Sequence, residues 1–193
     1  MAIVQAGDPV LRRLASPVAA DRIGSDGMNQ LIDALYRALA EVPGVGVAAP
    51  QLGVGLRVVL IQDPAEFQAR VDPDRLIELE REPIQPYVLI NPFLEVVGLD
   101  TRTFFEGCLS VEGYRGLVRR AATVRVRYLD VEGRQHDEIR HGWHARILQH
   151  EVDHLDGALY VDRMLTRSFM TDAHYVDWAL QPTGAVFHTF GIG

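Results

Sequence analysis

The chain has 193 residues, 48% of them hydrophobic, and a formal net charge of −7. That length fits one domain with a substantial core, expected over 1–193, while the acidic balance excludes broad nucleic-acid binding, which needs clustered cations to neutralise phosphates. No apolar run approaches the ~20 residues that a membrane-spanning helix requires, and the lone cysteine, Cys108, excludes an internal disulfide.

A free thiol suits a reducing compartment, and no basic segment followed by an apolar run opens the chain. A cytoplasmic protein is the expectation, although a processed organellar form would read the same. In chain order, Met28, Leu31, Ile32, Leu35, Leu39 and Val42 recur at three- and four-residue spacing, which predicts an amphipathic helix over 28–42, stopped by Pro43-Gly44. The run Gly44-Val45-Gly46-Val47-Ala48-Ala49-Pro50-Gln51 follows. It lacks the Gly-Lys-Ser/Thr ending of a phosphate loop and any dinucleotide fingerprint. Its small side chains let another backbone approach closely, and Gln51 ends it with an amide able to donate to an oxyanion. It also reads as a tight connection between a helix and a strand.

Residues 56–61 predict a short apolar strand, and 87–97 a second extended run broken by Asn91-Pro92. Between them, 63–86 is rich in Asp, Glu, Arg and Pro without periodicity, and is expected to be a long surface loop. Residues 123–129 alternate apolar with other side chains, 130–134 turn the chain, and 135–140 return as the second strand of a hairpin. Arg125 and Arg127 then form one solvated face. A helix is expected over 143–155, capped by Gly157, followed by a short strand at 159–161 and a glycine-rich, aromatic tail at 183–193. The mixture predicts an α+β fold with mixed or antiparallel strands packed around a central helix.

That helix carries the most informative pattern, His150-Glu151-x-x-His154. Residues i and i+4 share a helix face, so both imidazoles can bind one metal ion while Glu151 reaches a water beside it. A catalytic site of this kind needs three protein ligands and an open position. The usual downstream third ligands are missing: in the extended pattern Tyr160 stands where a histidine would, and no glutamate follows Glu151. Asp156, Asp162, Asp172, Asp177, His174 and His188 remain as weak candidates. Cys108, in Glu106-Gly107-Cys108-Leu109-Ser110, is the better one, although alone it also reads as a small buried hydrophobe.

The three segments together resemble peptide deformylase, a family marked by Gly-x-Gly-x-Ala-Ala-x-Gln, Glu-Gly-Cys-Leu-Ser and Gln-His-Glu-x-Asp-His-Leu-x-Gly, all present here in order. Gly142-Trp143-His144-Ala145-Arg146-Ile147-Leu148 is similar to the branch holding organellar and some bacterial enzymes. The resemblance implies an α+β fold around the metal-bearing helix and a metal held by Cys108, His150 and His154. The ion is expected to be Fe(II) natively, with Zn(II), Ni(II) or Co(II) substituting. It further implies Glu151 as general base and Gln51 with the backbone N–H of Leu109 as oxyanion donors. The reaction would release formate from the N-terminal formylmethionine of nascent chains. An extended substrate is expected beside Val45, Gly46 and Gly107, with its methionine side chain against Trp143 and Ile147.

Arg146 departs from the apolar residue many members carry, which puts the pocket rim in question. Glu106, Asp153 and Arg120 fit either a set of contacts orienting the metal ligands or ordinary surface ion pairing. The long basic helix by which some members contact the ribosome is absent, leaving transient ribosome proximity. The competing readings are a deformylase-like protein that only binds metal or formyl peptides, and a zincin-type endopeptidase, which the missing downstream ligand disfavours.

Overall fold

The computed structural model describes residues 2–69 and 71–192. Helix α1 spans Asp26–Glu41 and is capped by Ser25, whose hydroxyl accepts from the Met28 N–H. Its buried stripe contains Met28, Leu31, Ile32, Leu35 and Leu39, the residues whose spacing predicts the helix. Strands β1 (Gly46–Ala48), β2 (Val58–Asp63), β3 (Ile84–Val96), β6 (Thr123–Leu129) and β7 (Gln135–His141) form one antiparallel sheet in the order β1-β2-β3-β6-β7. Successive side chains of a strand face opposite sides, and both faces are covered. Val58, Leu60, Val88 and Ile90 pack with α1, whereas Val59, Ile61, Leu89, Val124 and Val126 pack with α4 (Gly142–Leu155).

Strands β4 (Thr101–Cys108) and β5 (Val111–Ala121) form a hairpin, and the short β8 (Met170–Thr171) extends it to three strands. Helices α5 (Asp172–Trp178) and α6 (Thr183–Phe190) cover this second sheet through a cluster of Phe105, Leu117, Met170 and Val186. Helix α4 packs against strands of both sheets and so stands at the centre of the molecule. Gly157, at φ 74°, lets the chain leave α4 by a left-handed residue. A Cβ there would lie 2.9 Å from the Arg12 backbone, so the glycine also admits the N-terminal segment.

Two expectations are corrected. The excursion over 63–86 is not a loop: it holds helices α2 (Ala65–Gln68) and α3 (Pro73–Leu79), and its last residues begin β3. Asp72 caps α3 by accepting from the Asp74 N–H, and Arg81 bonds the fully buried Asp63 through both carboxylate oxygens at 2.7 and 2.8 Å. The apolar run at 159–161 is no strand either; Tyr160–Asp162 forms a 3-10 turn, stabilised by Asp162 accepting from the Leu159 N–H. Arg125 and Arg127 do lie on a solvated face, paired with Asp137 and Glu95.

Candidate metal centre

Two elements converge on one point. Strand β4 ends at Cys108, α4 supplies His150 and His154 one turn apart, and the metal-ligating atoms of the three residues lie within 4.8 Å of one another. Cys108 Sγ is 3.3 Å from His154 Nε2. His150 turns Nδ1 to Glu106 Oε2 at 2.9 Å, which leaves its other ring nitrogen for the cluster. Burial and the neighbouring His150 hold His154 well below the ordinary imidazole pKa, in the neutral form a metal requires.

The donor set tests well against a metal. A thiol from β4 and two imidazoles from α4 converge, with Sγ 3.3 Å from the His154 Nε2. Soft sulfur with imidazole nitrogen suits Zn(II), Fe(II), Co(II) or Ni(II) rather than Mg(II) or Ca(II).

Glu151 lies beside this cluster, 4% exposed, with Oε2 lacking a hydrogen-bond partner among the described residues. Burial raises its carboxyl pKa to about 7, and a divalent cation nearby would act in the opposite direction, favouring the carboxylate. Gly46 makes room for it: a Cβ at that position would sit 2.3 Å from Glu151 Oε1. Gln51, 1% exposed, is oriented by the Ala48 N–H, which donates to Oε1 at 2.9 Å. Its Nε2 thereby faces Ser110 Oγ at 3.2 Å and Cys108 Sγ at 3.5 Å. Leu109 follows Cys108 into the β4–β5 turn, and its carbonyl accepts from Gln5 Nε2.

The pocket residues divide. Trp143 is half-buried under the Arg81 guanidinium and lines a small cavity with Leu79, Glu80, Phe104 and Arg146, so the 63–86 excursion supplies one wall. Ile147 is 3% exposed and packs in the core with Val59, Ile61 and Leu89. Val45 and Gly46 lie at the edge of the five-stranded sheet, and Gly107 on the free edge of β4.

Ordinary surface pairing does not describe Glu106, Arg120 and Asp153. All three are buried, and Arg120 donates to Glu106 through Nε and Nη2 at 3.0 and 2.9 Å and to Asp153 at 2.5 Å. These bonds, with that from His150, overcome the burial penalty and hold the Glu106 carboxyl well below the usual range. Sequence reasoning missed Arg163, which grips Asp153 through two bonds at 2.7 Å, and Tyr160, whose ring stacks on His150 at 6.4 Å between centroids. Only Tyr160 left a trace, as the residue standing where the extended motif has a histidine.

A family model described as polypeptide deformylase matches residues 1–169. The chain belongs to this family. Peptide deformylase 3 of Streptomyces avermitilis is 49% identical over 183 residues, covering 94% of this chain and 79% of that protein. The chloroplastic peptide deformylase 1A of Solanum lycopersicum is 43% identical over 169 residues, and there the match covers 88% of this chain but only 61% of the relative's length. Among solved structures, a Met-Ala-Ser-bound class I type b peptide deformylase from Acinetobacter baumannii superposes with a TM-score of 0.75 at 34% identity, covering 85% of this chain and 98% of that one. The similarity to the organellar branch expected from the α4 sequence is matched by the plant relative. No helix among the described residues is long and apolar enough to cross a membrane.

Proposed function

We propose that the protein removes the formyl group from the N-terminal formylmethionine of nascent chains, with Cys108, His150 and His154 holding one divalent ion. The observation that carries this reading is the meeting of those three donors with a buried carboxylate, Glu151, and an oriented amide, Gln51. Bound there, the ion would make a water a strong nucleophile near neutral pH and polarise the formyl oxygen. Fe(II) is the proposed native ion, with Zn(II), Ni(II) or Co(II) as substitutes.

Glu151 takes a proton from the attacking water as its oxygen joins the formyl carbon, then returns that proton to nitrogen as the C–N bond breaks. The products are formate and a peptide with a free amino terminus. Gln51 Nε2 and the Leu109 N–H meet the charge that develops on the formyl oxygen; loss of one such donor costs about 2.7–4 kcal/mol. The substrate backbone lies extended between two sheet edges, Val45-Gly46 of one and Gly107 of the other. Its first side chain enters toward Trp143, which packs against the core cluster that holds Ile147. The Met-Ala-Ser ligand of the Acinetobacter relative is the kind of product this scheme yields. We further propose that the chain acts as one domain, because α4 packs on both sheets, and that it works in the cytoplasm or an organelle near the ribosome.

The test is mass spectrometry of a formyl-Met tripeptide incubated with metal-loaded protein: loss of the formyl group with both peptide bonds intact supports the reading. Cleavage of a peptide bond favours the zincin alternative. Unaltered peptide leaves only a binding protein.

A further inference from the structure

Arg146 has no place in the chemistry above, yet it is one of the most enclosed charges in the molecule, 4% exposed. A long cationic side chain on a helix ordinarily keeps its head in water; this one turns inward. Nη1 donates to Glu106 Oε1 at 2.5 Å and to the Val118 carbonyl at 3.2 Å, and Nη2 donates to the Arg102 carbonyl at 2.7 Å. The guanidinium also lies 5.2 Å from the centroid of the Phe104 ring. One side chain of α4 therefore bonds the backbones of β4 and β5 as well as a β4 carboxylate.

Glu106 is saturated as a result. Its Oε1 accepts from Arg120 and Arg146, and its Oε2 from Arg120 and His150. A carboxylate offers about four acceptor directions, so its rotamer is fixed and with it the ring of His150. Arg120 already holds Glu106 with two bonds, but Arg120 belongs to β5. Arg146 adds a tie from the helix that bears the histidines. The candidate ligands come from two elements, Cys108 from β4 and the histidines from α4, so their spacing depends on how those elements sit. Arg146, one turn before His150, belongs to α4 and is bonded to β4.

We propose that Arg146 is a positioning residue for the metal centre, fixing β4 against α4 and, through Glu106, the orientation of His150. This rests on the assignment of Cys108, His150 and His154 as ligands, and not on the reaction they serve.

The test measures metal release. Wild-type and Arg146→Met proteins are loaded with Co(II), mixed with excess chelator, and followed by the visible absorption of the bound ion. Loss of a group that supports a ligand typically weakens metal binding about 10–100-fold, so the variant is expected to release Co(II) faster by that factor and to show a shifted absorption band. A folded Arg146→Met protein with the wild-type band and release rate would overturn the proposal. Arg146→Lys keeps the charge but lacks the fork that spans Glu106 and two carbonyls. It is expected to release metal several-fold faster than wild type, and it carries the test if the Met variant does not fold; a wild-type rate would again overturn the proposal. Wild-type protein that binds no metal would defeat the ligand assignment and this proposal together. Wild-type protein that binds metal but frees no formate would defeat only the deformylase reading, and the release rates would still decide the role of Arg146.

Discussion

Cys108 taken alone is a small half-buried side chain; its 3.3 Å approach to His154 gives it a chemical meaning. If its thiolate is the third ligand, Cys108→Ala is expected to lose metal in a chelator-free gel-filtration step that wild type survives, with activity falling in parallel. Retained stoichiometric metal would move the third ligand elsewhere. Ile147 is the contrasting case. Its spacing from His150 allows a pocket wall, but a helix residue three positions away can equally face the core, and burial at 3% among Val59, Ile61 and Leu89 shows that it does. Ile147→Ala is therefore expected to cost about 2–5 kcal/mol in denaturant unfolding, whatever it does to selectivity between formyl-Met and formyl-Ala peptides. A loss below ~1 kcal/mol would contradict its core packing. Arg146 was legible only as a departure from a pattern, because its partners, Glu106 and the carbonyls of Arg102 and Val118, are 28 to 44 residues away.

Elements with a strong local period were legible: α1, α4 and the β6–β7 hairpin fall within a few residues of their expected bounds. The excursion failed because α3 has only 7 residues, too few for a period to show, and because its anchor pairs Asp63 with Arg81, 18 positions on. Strand β1 was not expected as a strand, because its small residues read as a close approach or a tight connection; Gly46 there leaves 2.3 Å between a hypothetical Cβ and Glu151 Oε1. Gly46→Ala should fold, with a small change in Tm, while kcat/KM is expected to fall at least about tenfold because the added methyl displaces the Glu151 carboxylate, the proposed base. Unchanged kcat/KM would show that Glu151 has another rotamer fit for its task.

Helix α4 also carries His144, whose Nε2 meets the Tyr87 hydroxyl at 2.8 Å. Burial, reinforced by Arg140, lowers its pKa from 6.5 to about 4. The unfolded chain then binds the proton between pH 6.5 and 4 while the folded one does not, so this contribution is intact above 6.5 and is lost on acidification to about 4. The full shift corresponds to roughly 3 kcal/mol, reduced to about 1–2 kcal/mol by the ring's partial contact with solvent. Subtracting the urea-unfolding curve of metal-free His144→Gln from that of wild type should reveal such a loss over that window. Parallel pH profiles would refute a depressed His144.

At the scale of the whole molecule, the sequence showed which segments carry chemistry and the fold shows why they meet. The edge strands of the two antiparallel sheets both meet α4: Gly46 of β1 lies against Glu151, and Glu106 and Cys108 of β4 approach His150 and His154. That arrangement depends on long-range pairing, such as β3 with β6, which no local window reveals. In the proposed mechanism Glu151 moves the proton while Cys108, His150 and His154 hold the ion. It is tested most directly by measuring formate release from a formyl-Met peptide together with bound metal, for wild type and Glu151→Gln. Equal metal is expected in both proteins, with formate from wild type and a rate at least about 100-fold lower in the variant. Near-normal formate release by a metal-loaded Glu151→Gln protein would contradict it.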